Sequence, residues 1–305
     1  MFMAVSNFLS STAEGVFPFY LDHAHVKGRL IRLGSVIEEL LANHQYPDFV
    51  NQYVAELVAL TAALSVDVKY DGIFTLQVSA HPDHEGPIRL ITVDINTQGH
   101  VRAYAQLAPA FESTKDYHSL SLLDVFGQGF MVFTADLAHQ TERYQAIVEL
   151  TGKTLADCMH HFFRQSDQIA TGLVVFSQPS RSDGQLMAGA LILQRLPLEQ
   201  TSTSEQKEQE EDDWITNLSL LGTLTKHELL DADLGSEQLL HRLFHERQLQ
   251  LLEPKSLKAQ CSCSKDRIEK VIQNFPLEDR MDMAVDGEIK VVCEFCTADY
   301  RFGVN

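Results

Sequence analysis

Four of the five cysteines in this 305-residue chain lie in its last forty-five positions, and they come as two close pairs. Cys261-Ser262-Cys263 is followed by residues 264 to 292 and then by Cys293-Glu294-Phe295-Cys296. Each pair can offer two thiolates from one short turn, and the intervening segment can fold back to join the pairs around a tetrahedral ion. The C-x-x-C half is an ordinary zinc-knuckle spacing. The C-x-C half is unusual for zinc ribbons and so is the more diagnostic. This spacing predicts that Cys261, Cys263, Cys293 and Cys296 hold one zinc ion. Spacing alone does not decide between a structural staple and a functional metal.

Composition sets the setting for those thiols. Apolar residues make up 45% of the chain and charged residues 22%, as in a globular protein. No run approaches the eighteen or so apolar residues of a membrane span. The opening MFMAVSNFLSSTAEG lacks the basic and long apolar regions of a secretory signal. Both observations point to a cytoplasmic protein, whose clustered thiols stay reduced and serve as metal ligands or redox sensors. A formal net charge of −18 argues against nucleic acid as a partner, because phosphates need Lys and Arg.

Residues 1 to 198 read as one mixed domain. Val26 to Leu33 is strand-like, and Ser35 opens a helix with Val36, Ile37, Leu40 and Leu41 on one face. Pro47 to Leu64 is a longer helix whose alanines allow close packing. Strand-like runs follow at Ile73 to Val78, Ile88 to Ile95, Val101 to Gln106, Phe130 to Thr134 and Arg143 to Leu150. Lys153 to Gln165 returns to helix, and Leu173 to Phe176 and Leu186 to Leu193 close the series as strands. Strands in succession with helices at both ends predict an α+β fold with a largely antiparallel sheet.

Residues 199 to 257 differ in character. Glu199 to Asp213 holds seven acidic residues, one lysine and no aliphatic side chain, which predicts a solvated flexible linker. Trp214 to Leu252 reads as discontinuous helix, with one apolar stripe at Trp214, Ile215, Leu218 and Leu221 and another at Leu239, Leu240, Leu243 and Phe244. Thr225 to Glu228 has capping-box spacing. Short helices with charged outer faces are marginal unless docked, so this segment is expected to be ordered conditionally. The first stripe is a candidate partner-binding face. Residues 258 to 305 form the cysteine module. There Ser264 caps a helix that ends at Pro276, Asp286-Gly287 turns the chain, and Glu288 to Cys293 is a strand that Tyr300 to Phe302 can join.

Other constellations read as ordinary structure. His241 and His245 share a helix face with Glu246 beside them, but the order is not the H-E-x-x-H of zinc proteases. The loop His81 to Gly86 has potential ligands and no identifiable partner. Gly127-Gln128-Gly129 lacks the rest of a dinucleotide fingerprint and reads as a turn. His160-His161 and Ser166-Asp167 have no nucleophile elbow, and Cys158 reads as a core thiol on an amphipathic helix.

The motifs together resemble the heat-shock protein 33 family of redox-regulated holdase chaperones. The likeness rests on His241 to Glu246, Cys261 to Ser264 with Arg267, Gly287 to Ile289, Cys293 to Cys296 and Tyr300. It continues through Tyr70 to Gly72 with Leu76-Gln77, Arg102 to Tyr104, Phe126 to Gly129, Phe162-Phe163 with Ser166 to Gln168 and Thr171, and Ala188 to Ala190 with Gln194 and Pro197. Departures are the long His81 to Pro87 turn, a single Gly189 in place of a glycine pair, and an end soon after Tyr300.

The resemblance implies an N-terminal client-binding and dimerising domain, a metastable helical linker and a zinc switch. It implies a non-enzyme that is inactive when reduced and zinc-bound. Oxidation would then pair Cys261 with Cys263 and Cys293 with Cys296, release zinc, and expose surface for unfolded client proteins, with the oxidised form a homodimer. Such minimal rings would not replace a tie across residues 264 to 292, because disulfide stabilisation grows with loop length. A zinc-ribbon adaptor, a thiol oxidoreductase using Cys293 and Cys296, and a hydrolase using the histidines stand as alternatives.

Overall fold

The computed structural model describes residues 14–304 apart from 22–24, 67–71, 84–85, 110, 112–120, 137–142, 167–169, 180–183 and 198–202. His84, Glu85, Tyr70, Asp71, Asp167, Gln168 and the first part of the acidic run lie outside the described residues, as does the opening segment read for a signal. In chain order the strands are β1 (Gly15–Leu21), β2 (Val26–Leu33), β3 (Ile73–Ala80), β4 (Ile88–Asn96), β5 (His100–Leu107), β6 (Gly129–Ala135), β7 (Tyr144–Glu149), β8 (Thr171–Pro179), β9 (Leu186–Arg195), β10 (Leu249–Leu251), β11 (Lys258–Ala259), β12 (Glu288–Val292) and β13 (Asp299–Gly303). The helices are α1 (Ser35–Leu41), α2 (Asp48–Ser65), α3 (Leu122–Phe126), α4 (Leu155–Ser166), α5 (Ser204–Thr223), α6 (Lys226–Leu229), α7 (Ser236–Phe244), α8 (Lys265–Gln273) and α9 (Leu277–Met283).

The strands make two large sheets where the sequence suggested one. The first runs β10-β1-β2-β9-β8 and the second β11-β5-β4-β3-β6-β7, with β12 and β13 as a separate hairpin. Every pair is antiparallel except β11 beside β5. Helix α2 packs against β2, β8 and β9 of the first sheet and against β3, β4 and β5 of the second, and so lies between them. That position explains its composition. A helix enclosed on two sides is apolar nearly all round, and α2 buries Phe49, Val50, Val54, Leu57, Val58 and Leu60 with small Ala55, Ala59, Ala62 and Ala63 between them.

The acidic run departs from the expected flexible linker, because it is helical from Ser204. Thr203 and Gln206 form a reciprocal capping box, and Glu205 sits in the first turn, where the helix dipole favours an anion. Glu and Gln are good helix formers, so a polar run can extend a helix that is anchored further along. Its anchors are Glu210 and Asp213, both buried, and Trp214.

Helices α5, α6 and α7 cover the outer face of the first sheet. There Phe19, Leu21, Val26, Leu30, Met187, Leu191 and Leu193 meet Trp214, Leu221, Leu229, Leu230, Leu239, Leu240 and Phe244 in one buried cluster. The expected stripe is corrected at one position. Trp214, Leu218 and Leu221 face the sheet, but Ile215 is turned about 100° away from Trp214 around the helix and is 53% exposed. Close approach needs glycine at two points. A Cβ at Gly172 would lie 2.3 Å from Leu218 Cδ2, and one at Gly189 would lie 2.9 Å from both Ile31 O and Leu229 Cγ.

Polar groups also cross this boundary. Buried Arg32 on β2 donates to the backbone carbonyls of Asp231 and Leu234, and Arg195 pairs with Glu210 and Glu211. Asn217 is the worst served: its side chain is fully buried on α5, and among the described residues neither its amide nitrogen nor its oxygen meets a partner.

Candidate metal centre

Two local devices present the four cysteines. The first is β11, where Lys258 N donates to Gly99 O at 3.0 Å and Gln260 N to Val101 O at 2.9 Å, delivering Cys261 beside β5. Ser264 then accepts from Arg267 N as the N-cap of α8, which fixes the exit of the C-x-C loop. The second device is the β12–β13 hairpin. Cys293 N donates to Ala298 O at 2.9 Å and Thr297 N to Cys293 O at 2.8 Å, folding Cys293 to Cys296 into a tight knuckle.

The four Sγ atoms lie within 4.8 Å of one another. Cys261 and Cys293 are 3.7 Å apart, and Cys263 and Cys296 are 3.3 Å apart. A tetrahedral ion with metal–sulfur bonds of about 2.3 Å needs sulfurs about 3.8 Å from each other, so the spacing fits with small adjustment. The donors are all thiolates, a soft set that suits zinc and other thiophilic ions. No other group of three or more His, Cys, Asp or Glu residues among the described residues has this geometry. Metal-free, the thiols share protons unequally. Burial pushes the Cys263 thiol up, but hydrogen bonds from Tyr300 and the neighbouring cysteines outweigh it and bring it to about 7. Burial and the bonds to its neighbours push Cys296 up to about 12. An ion entering this centre therefore displaces protons.

The metal module has little else to hold it. Its buried apolar residues are Ile272, Ile289 and Phe302, with Ile268, Val291 and Tyr300 partly buried around them. The helix expected to run to Pro276 stops earlier, at Gln273 with Asn274 as its C-cap, and Pro276 instead serves as the N-cap of α9. Proline near a helix start loses nothing, since its missing N–H would have no partner there.

The remaining candidates take the ordinary roles expected of them. His241 faces Glu237 and His245 faces Glu246, both on the surface, with no shared ligand geometry. His81 and Asp83 lie in an exposed loop. His160 Nε2 meets Leu173 O at 3.1 Å. Cys158 is fully buried and burial raises its thiol. Gly127 caps α3. The sequence reading named Arg102 and Tyr104 only as part of the resemblance and did not name His44; the structure closes all three on Phe295 in the Cys293–Cys296 knuckle. An arginine flanked by alternating residues on a strand carries no signal of a contact 193 positions away.

A two-sheet α+β body with helices docked on one face and a four-cysteine centre at its C-terminal end defines a distinctive class. The Hsp33 protein family model matches residues 14–303. The chain is 32% identical over 286 residues to the 33 kDa chaperonin of Pseudomonas fluorescens (strain SBW25), covering 93% of this chain and 89% of that protein. It is 33% identical over 288 residues to the 33 kDa chaperonin of Photorhabdus laumondii, covering 94% and 92%. The crystal structure of the Thermotoga maritima 33 kDa chaperonin shares the fold, with a TM-score of 0.76 at 18% identity and coverage of 95% of both chains. The chain belongs to the Hsp33 family, a family of chaperones. No helix among the described residues is long and apolar enough to cross a membrane.

Proposed function

We propose that this chain is a redox-regulated holdase whose four cysteines hold one zinc ion while reduced and lose it on oxidation. The observation that carries the reading is the contrast between a four-sulfur centre and the three buried apolar residues of the module around it. A structural zinc contributes on the order of 10–16 kcal/mol to the folding of such a module. When bound, it keeps all four sulfurs as organised thiolates, the form that peroxide attacks.

The chemistry balances with peroxide as the oxidant. Two peroxide molecules take the four electrons released as two disulfides form, and with four protons they become four waters. The outcome depends on which sulfurs pair. Bonds between neighbours, Cys261 with Cys263 and Cys293 with Cys296, close minimal rings and leave residues 264 to 292 untied. Bonds across the centre would span 32 and 33 residues and would staple the module by between about 3 and 4 kcal/mol. Neighbour pairing, which the family resemblance implies, is therefore the pairing that unfolds it.

Loss of the module removes the continuation of β11 and then of β10, the strand that joins α7 to the first sheet. Helices α5 to α7 can then leave, baring the apolar cluster they share with β1, β2 and β9. An exposed apolar patch of that kind binds unfolded chains. Trp214, Leu218 and Leu221 belong to it, and the net charge of −18 keeps a loaded complex soluble. Cytoplasmic location and pairing of two oxidised chains belong to the same proposal. The test is aggregation suppression of a heat-unfolded client, by reduced and by peroxide-treated protein, with zinc release followed by a chromogenic chelator. Protection that appears together with zinc release is expected. Zinc that stays bound under peroxide points to the structural-metal adaptor, and release without protection also rejects the reading.

A further inference from the structure

One guanidinium touches the middle of both cysteine loops. Arg102 Nη1 donates to Ser262 Oγ at 2.8 Å, between Cys261 and Cys263. Its Cζ lies 4.1 Å over the centre of the Phe295 ring, between Cys293 and Cys296. From the other side Asp94 on β4 fixes the same group, with Oδ2 at 2.8 Å from Nε and 2.7 Å from Nη2. Tyr104 meets the Phe295 ring edge-on at 4.7 Å, and His44 Nε2 lies 3.1 Å from the Phe295 carbonyl. Beyond these contacts, the described pairing of β11 with β5 is short, with Lys258 and Ala259 opposite His100 and Val101 and Gln260 N donating to Val101 O.

We propose that Arg102 is a positioning residue that reads the charge of the cysteine centre and thereby makes docking of the module on β5 depend on oxidation state. The proposal rests on the zinc-and-disulfide reading given above. Four thiolates around a divalent ion carry a net charge of about −2, and the two disulfides that replace them carry none. A cation bonded to Ser262 and stacked on Phe295, within the two cysteine loops and partly shielded from water, feels that difference strongly. Closure of the two small rings also moves Ser262 and Phe295, the residues Arg102 holds. Asp94 keeps the guanidinium on the sheet, so the receiver stays in place while the module's attraction to it is removed. Oxidation thus acts twice: it unties the module internally and cancels the charge that draws it to the six-stranded sheet.

The test uses full-length, reduced, zinc-loaded protein and needs no client. Arg102→Met is expected to keep one zinc per chain and unchanged amide protection across β12 and β13, while the amides of Lys258 and Gln260 exchange about tenfold faster. Arg102→Lys keeps the charge without the planar stack and restores part of that protection. Arg102→Met combined with Asp94→Asn avoids leaving a lone carboxylate, and should behave as Arg102→Met does. Protection at Lys258 and Gln260 within about twofold of wild type, with zinc in place, would overturn the proposal. So would loss of protection throughout β4 and β5 in the double variant, since Arg102 would then be a packing group of the sheet. Failure of wild-type protein to release zinc under peroxide is a separate result, and it would count against the proposed function instead.

Discussion

The layer between the two sheets and the C-terminal module are held by different forces. Helix α2 is enclosed by apolar side chains from both sheets, and its stability comes from area removed from water, which no oxidant changes. The module buries Ile272, Ile289 and Phe302 and leaves Val271, Leu277, Met281, Val285 and Val292 half or more exposed. On the proposed reading its order rests on the four sulfurs brought together. Helices α5 to α7 stand between these extremes, with an apolar face docked on the first sheet but buried polar groups within the contact. On the proposed function, a chemical signal melts one end of the chain and leaves the other folded, and the docked helices follow the end that melts.

The largest break in this contrast should come from the centre itself. Cys293→Ser removes one thiolate from four, and the module is expected to lose most of a metal contribution on the order of 10 kcal/mol. Under reducing conditions, limited proteolysis should then cut within residues 214 to 252 while α2 stays resistant. Equal protection of both regions in the zinc-free variant would mean that the module and the docked helices are uncoupled. Next is Phe244→Ala. It empties a fully buried site on α7 that packs on Phe19 with ring centroids 5.7 Å apart. It should weaken docking by about 3–5 kcal/mol and release α7 while zinc content is unchanged.

Asn217→Leu should act in the opposite direction. Burial of an unpaired amide costs about 1–3 kcal/mol, so an apolar replacement tightens α5 on the sheet. The variant is expected to need more peroxide, or a higher temperature, before α5 becomes accessible to protease. An unchanged threshold would remove Asn217 from the balance.

An effect of similar size, confined to one pH window, belongs to the side of α2 near α6. Burial raises the Glu56 carboxyl to about 7, opposed by the hydrogen bond from Ser177 and the charge of Lys226. The folded state thus binds a proton that the unfolded chain has released. The stability this gives is fully present below about pH 4.5 and is lost as pH rises to about 7. Glu56→Gln should flatten that window and add about 1–3 kcal/mol at pH 8, read from urea unfolding followed by α2-side fluorescence or circular dichroism.

The legible parts of the chain were those whose signal is local. Cysteine spacing located the centre, β-branched alternation located β3 to β9, and Thr225-x-x-Glu228 marked the cap of α6, which forms as a full capping box. Elements fixed from a distance were not legible. Pro18 argues against a strand at Gly15–Leu21, yet β1 tolerates it, because β10 pairs only from Phe19 onward and Pro18 falls between that ladder and the Val16–Lys255 bridge. The acidic run looked unable to bury anything. Its order comes from the arginines at positions 195 and 247 and from Trp214, all outside the run. The cradle around Phe295 joins β4, β5 and the loop before α2 to a knuckle, a set of partners that no short window contains.

The most direct measurement follows hydrogen exchange in β12–β13, α7 and α2 of one peroxide-treated sample while its zinc is counted. Protection should fall first in β12–β13 in step with the ion, then in α7, and should persist in α2. An ion released while α7 stays as protected as α2 would contradict the coupling on which the whole account stands.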